Sequence, residues 1–303
     1  VPELPDVLLY LDALRRTVVG HAVERVRVVG PSVLRTFEPP IEAIDGRTLV
    51  GVSRIGKRIV FEFGDELFAV VHLMIAGRWR WAAKVRDKTP GKIGQASMLF
   101  DHGTLHLVEA SQKKRATLHV VQGRDALRQF NRGGIDPTNC SLDVFASRLR
   151  SENHTLKRSL ADPRLFDGIG NAFSDEILFW AKCSPVKLTS RVSDDEVARL
   201  HEQCGKQLRG FTELLLNRFA KKFPGPGDVT AFRPEFAVHG KFGQPCPVCG
   251  TSVQRIVRAE NETNYCPRCQ TEGKLLADRS LSRLLKDDWP ATVEEWEGQR
   301  NAQ

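Results

Sequence analysis

The sequence predicts an α+β chain, strand-rich in its N-terminal part, helical in the middle, with a small cysteine-bound hairpin near the C-terminus. Three observations predict it. Short runs up to residue 122 alternate apolar and polar side chains. Beyond residue 140 the apolar period becomes helical. Four of the seven cysteines then fall in two tight pairs. A length of 303 residues leaves room for two or three domains.

Residues 6–19 predict a helix, because Val7, Leu8, Leu11, Leu14 and Val18 share one face and Gly20 follows. Val26 and Val28 alternate with arginines, and Ile59, Phe61 and Phe63 alternate up to a Gly64-Asp65 turn that leads into 67–73. Further short strands are expected at 79–81, 98–100, 105–108 and 118–121, which together suggest a sandwich or a barrel. Residues 123–139 form a boundary. Helices are expected at 153–160, from about Ala172, and over 194–219. The Gly/Pro-rich run 222–232 predicts a mobile loop. In the tail, Leu281, Leu284 and Leu285 predict one more helix before Pro290.

The net charge is +8 and the pI about 9.2, an excess of cations that suits an anionic partner such as nucleic acid. No apolar run long enough to span a membrane and no signal peptide is visible, so a cytoplasmic protein is expected.

Cys246-x2-Cys249 and Cys266-x2-Cys269, sixteen residues apart, match two knuckles of a structural zinc site, one Zn2+ per chain. Four thiolates leave no open coordination position. A redox dithiol is the alternative. Cys140, Cys183 and Cys204 are scattered, which suits a reducing compartment. Arg255 and Arg258 lie on the intervening hairpin and could reach a phosphate. The GIGN turn, 168–171, opens a helix and gathers backbone N–H groups that suit an anion, with Asn171 expected at the N-cap. A plain helical turn is the alternative.

PELPDV at the start, NHTLKRSLADPRLFDGIGNAFSDEILF in the middle and QPCPVCG…NYCPRCQ near the end stand in one order. Together they resemble the formamidopyrimidine-DNA glycosylase and endonuclease VIII family over about residues 2–270. The resemblance implies an N-terminal β-sandwich, a helix–two-turn–helix domain and a β-hairpin zinc finger, with damaged double-stranded DNA in the cleft between. It implies an enzyme that excises oxidised bases and nicks the abasic strand, acting as a monomer with no membrane partner. The expected boundaries are 1–122 sandwich, 123–139 linker, 140–235 helical domain, 236–270 zinc finger and 271–303 tail.

By the same resemblance Pro2 is the nucleophile, Glu3 acts at the sugar ring oxygen or as proton shuttle, and Lys57, the strand lysine, holds the phosphate beside the lesion. Met74 or Ile75, in the loop 72–79, would wedge into the gap left by the flipped base. From their places in the hairpin and the GIGN turn, and not from the resemblance, Arg258, which is out of register with the family's arginine, and Asn171 are expected to address phosphate.

Several residues depart from the family pattern. Asn261 stands where an arginine is expected, which puts δ-elimination in doubt. The opposite-strand wedge is replaced by SQKKR, with Lys113, Lys114 and Arg115 in place of an aromatic residue. Asp6 replaces a glutamate, and the tail is longer. Val1 precedes Pro2, whose nitrogen is nucleophilic only when nothing is attached to it. The expectation is a non-AUG start whose methionine is removed; the alternatives are a methionine before Val1, which would leave Pro2 blocked, and a valine added in cloning. The alternative function is a zinc-containing protein that binds damaged or abasic DNA without cutting it. A zinc-ribbon transcription factor is a more distant one, since no base-reading helix is visible.

Overall fold

The computed structural model describes residues 2–30, 32–85, 89–258, 261–276 and 290–301, with the side chains of 258, 297 and 299–301 excepted. It divides into two compact units, 1–133 with 209–230, and 134–208 with 231–303.

The first unit opens with α1, Leu4–Thr17. It begins two residues before the expected start, because Glu3 and Asp6 close a reciprocal capping box: the Glu3 side chain accepts from the Asp6 amide, and Glu3 N–H donates to Asp6 Oδ2 at 2.9 Å. Pro5, in the first turn, lacks a donor the helix would leave unpaired there. The helix stops at Val18, and Gly20 turns the chain with φ +90°.

Eight strands follow: β1 Arg25–Val28, β2 Leu49–Ile55, β3 Arg58–Phe63, β4 Leu67–His72, β5 Gly77–Ala82, β6 Gly94–Phe100, β7 Gly103–Glu109 and β8 Thr117–Gln122. They form two antiparallel four-stranded sheets, ordered β1-β6-β7-β5 and β2-β3-β4-β8. Side chains from both sheets and α1 meet in one core, where Phe61 and Trp79 pack edge to face at 5.2 Å. Strand β2 had no forecast, because Gly51, Ser53 and Arg54 interrupt its apolar alternation. Leu215, Phe219 and Val229 join this core.

In the second unit, α2 Leu142–Arg150 is capped by Ser141 and was not foreseen. The helix expected at 153–160 starts later, as α3 Leu156–Ala161, because Thr155 accepts from Arg158 N and caps it there. Then come α4 Asn171–Trp180 and α5 Asp194–Arg218, whose last turns belong to the first unit. The hairpin pairs β9 Gln254–Arg258 with β10 Asn261–Tyr265, and α6 Pro267–Thr271 follows. The helix expected around Leu281, Leu284 and Leu285 lies outside the described residues. After Pro290 the chain forms α7, Val293–Asn301, tied back by Leu275 N–H to Ala291 O at 2.9 Å and by the Arg268–Glu294 ion pair. Among the described residues no helix is long and apolar enough to cross a membrane.

Candidate functional site

Pro2 is buried immediately before the capping box of α1, and Glu3 is only 3% exposed. The capping box therefore fixes Glu3, and Pro2 precedes it directly in the chain. Lys57 differs from expectation: it lies in a turn and not on a strand. Ile55 pairs with Arg58, leaving Gly56, at φ +63°, and Lys57 as the two-residue connection from β2 to β3.

The next strand pair brings His72 opposite Arg58. Burial, then the charges of Arg58 and Lys57, lower the His72 pKa to about 4. The neutral ring accepts from Met74 N–H through Nδ1 at 3.2 Å. Met74 sits at φ +52°, a conformation that a side chain disfavours. Gly77 closes the loop by donating to Leu73 O at 2.8 Å, and a Cβ there would lie 2.3 Å from that oxygen. Of the two wedge candidates, Met74 is half-buried and Ile75 is 48% exposed. Arg78, which sequence reasoning passed over, donates to Ile75 O at 3.1 Å, Gly77 O at 2.7 Å and Val229 O at 2.7 Å. It ties the 73–77 loop to the segment after α5 within one unit.

The SQKKR segment is a built loop. Buried Glu109 accepts from Arg115 N–H at 3.0 Å and Ala116 N–H at 3.1 Å, and Lys114 Nζ donates to the Glu109 carbonyl. Lys113 remains exposed.

In the second unit Asn171 is the first helical residue, and Gly170 is the N-cap of α4. The glycine there takes φ −133°, ψ −152°, and Asn171 turns its amide instead to Glu262 O, at 2.9 Å, on the hairpin. Lys157, from the basic LKR segment, donates to Asn171 O and to Asp175 Oδ1, each at 2.5 Å. Asp175 is fully buried, and its other oxygen accepts from His239 Nδ1 at 2.7 Å and Asn264 N–H at 3.1 Å. Next to it, Glu176 accepts from the amides of Ala237, Val238 and His239 at 2.8 to 2.9 Å. Burial pushes its carboxyl upward while these donors pull it back. A helix terminus and the hairpin are thus joined through buried carboxylates. Sequence offered one signal for them, the DE pair inside an otherwise apolar helix.

One Sγ from each of Cys246, Cys249, Cys266 and Cys269 lies within 4.8 Å of the others, with pairs at 3.9 and 3.5 Å. A tetrahedral zinc with Zn–S bonds of about 2.3 Å separates its sulfurs by about 3.8 Å, so the set fits one structural zinc. None of the seven cysteines is in a disulfide. On the hairpin, Arg255 pairs with Glu262 at 3.1 Å and lies 4.3 Å over the Phe242 ring. Asn261 is exposed, and the ladder sets Arg258 directly across from it.

Three family models match in order: the formamidopyrimidine-DNA glycosylase N-terminal domain over residues 1–120, its H2TH domain over 134–213, and the zinc finger found in FPG and IleRS over 243–271. The chain belongs to the formamidopyrimidine-DNA glycosylase family. It is 29% identical to the formamidopyrimidine-DNA glycosylases of Lactococcus lactis subsp. cremoris and Exiguobacterium sibiricum, in each case over 89% of this chain and 99% of the relative. A crystal structure of the Lactococcus lactis glycosylase bound non-covalently to AP-site DNA matches with TM-score 0.77 and 28% identity, over 89% of this chain and 99% of that one. The same enzyme with Fapy-dG DNA matches with TM-score 0.78 and 28% identity, over 89% and 100%. The β-sandwich, helical segment and zinc hairpin of this glycosylase-family chain follow that order.

Proposed function

We propose that this chain is a base-excision DNA glycosylase with AP-lyase activity, acting on oxidised bases in duplex DNA. The carrying observation is the ordered match of all three family segments in a chain whose buried second residue is a proline heading α1. The solved Lactococcus lactis relative was captured with abasic, Fapy-dG and oxidised-pyrimidine DNA, substrates that base excision and strand nicking would act on.

With its nitrogen unblocked, Pro2 is a secondary amine. Its lone pair attacks C1′ of the flipped nucleotide and the base leaves with the glycosidic electron pair. Loss of the amine proton and opening of the sugar ring yield an iminium ion. That electron sink acidifies C2′, and removal of a C2′ proton expels the 3′ phosphate. Glu3, fixed beside Pro2 by the capping box, is placed to carry protons to and from the sugar. Lys57, at the tip of its turn, addresses the phosphate beside the lesion.

The loop 73–77 supplies the wedge, and the exposure of Ile75 favours it over Met74. Lys113 and Arg115 address the opposite strand. In the second unit the GIGN amides, Asn261 and Arg258 address backbone phosphate, while Asn171 acts mainly by holding the hairpin. The domain limits expected from sequence, 1–122, 140–235 and 236–270, serve as working boundaries, with the enzyme acting as a cytoplasmic monomer. Zinc, when bound to Cys246, Cys249, Cys266 and Cys269, supplies a cross-link that holds the hairpin.

Borohydride trapping on abasic and oxidised-base duplexes tests this. Protein shown by mass to begin at Pro2 should form a covalent adduct, and an added residue before Pro2 should abolish it. Binding without any adduct from such protein would leave a damage-binding protein in place of an enzyme.

A further inference from the structure

We propose a second metal site, on the first unit, formed by His21, Asp101 and His102 and suited to a borderline divalent transition ion such as Zn2+ or Ni2+. His21 lies in the turn after α1. Asp101 and His102 form the two-residue turn from β6 to β7, between paired Phe100 and Gly103. Asp101 Oδ1 is 3.4 Å from His21 Nδ1 and 2.7 Å from His102 Nδ1, and one ligand atom from each residue lies within 4.8 Å of the others. Around a tetrahedral ion with bonds of about 2.0 Å, ligand atoms sit about 3.3 Å apart. The trio therefore closes on an ion with small side-chain shifts.

A second feature orients the set. His102 Nε2 lies 2.8 Å from Thr17 O, at the last residue of α1. A carbonyl only accepts, so Nε2 carries the hydrogen and Nδ1 faces the site. Histidine ligands are commonly held this way, by an outer hydrogen bond that fixes the tautomer. The carbonyl end of a helix and the Asp101 carboxylate both favour a cation. On binding, the metal takes the place between Asp101 and Nδ1, and any proton there is released to solvent.

The His21 and His102 ring centroids lie 3.9 Å apart with the planes tilted by 33°, and Trp81 lies 5.1 Å from His102. Side-chain exposures of 42%, 71% and 35% for His21, Asp101 and His102 leave room for water as a further ligand. Two imidazoles and one carboxylate select zinc, nickel or copper over magnesium or calcium. Occupancy would fasten the end of α1 to the β6–β7 turn.

Untagged protein with its finger filled by zinc would be titrated with Ni2+ alone, by calorimetry and by tryptophan fluorescence. The expected result is one additional ion per chain, quenching of Trp81 emission, and a nickel-dependent rise in Tm. His21→Gln, Asp101→Asn and His102→Ala should each weaken binding by about tenfold or more, with the finger's zinc content unchanged. Equal nickel binding by wild type and all three variants would overturn the proposal. So would no binding below millimolar nickel, which would leave a solvated Asp–His pair only. Three separate variants keep the test decisive if one fails to fold.

Discussion

His72 is a single imidazole on which a loop conformation depends. Its Nδ1 can accept from Met74 N–H only while unprotonated, and burial together with Arg58 and Lys57 keeps it so by lowering its pKa to about 4. An unfolded chain protonates the same ring near pH 6.5. The folded value is the depressed one, so the stability difference is absent above about pH 6.5 and grows as pH falls toward about 4. The loss reaches up to about 3 kcal/mol. His72→Asn should remove this acid sensitivity, read as the wild-type-minus-variant difference in urea unfolding at pH 7, 5.5 and 4.5. A difference that does not change with pH would refute it. Two residues on, Met74 holds φ +52°. Met74→Gly should stabilise the loop backbone by about 1 kcal/mol, offset by any packing the half-buried side chain loses. The same denaturation series measures it.

At the scale of elements, what sequence revealed and what it hid follow one physical rule. Local spacing was legible. The two cysteine pairs, the strand alternation at Ile59, Phe61 and Phe63, and the long helix α5 all need only neighbours in the chain to be recognised. Interactions that close over long separations were not. Asp175 meets Lys157, 18 residues back, and His239, 64 residues on. Nothing at those positions states the pairing that holds Lys157 on Asp175. The turn position of Lys57 was hidden because β2 lacks clean alternation. Lys157 is 13% exposed against a fully buried partner. Removing Asp175 alone strands that charge and should cost about 3–5 kcal/mol. Asp175→Leu should therefore unfold the second unit at lower urea, and Lys157→Met/Asp175→Leu should recover part of the loss. A double-mutant cycle with no coupling would show that the ion pair does not hold α3, α4 and the hairpin together.

For the whole molecule, the count of 45 Lys and Arg overstates the cations available to DNA. Lys157 is paired with Asp175, Arg255 with Glu262, and Lys114 is turned to the Glu109 carbonyl. The phosphate contacts proposed above from charged side chains are Lys57, Lys113, Arg115 and Arg258. With roughly four phosphates neutralised, the log–log dependence of duplex affinity on salt should have a slope near −3.6. A flat response between low and moderate salt would exclude a phosphate-tracking interface. Asn261 adds a donor and no charge, so it leaves that slope unchanged in the wild type. Asn261→Arg should steepen the slope by about 0.9 and tighten abasic-site binding by about 1.5–3 kcal/mol if the new guanidinium reaches a phosphate. The cross-strand register makes the complementary test possible, because Arg258 stands opposite Asn261 on the ladder. If Arg258 already supplies the hairpin's charge, Arg258→Ala should flatten the wild-type slope by the same increment, and Asn261→Arg should restore it. End-group analysis of the nicked strand then separates affinity from chemistry. Wild type should stop largely at β-elimination, and Asn261→Arg should shift product toward β,δ-elimination. A shift in slope without a shift in end group would assign position 261 to binding alone.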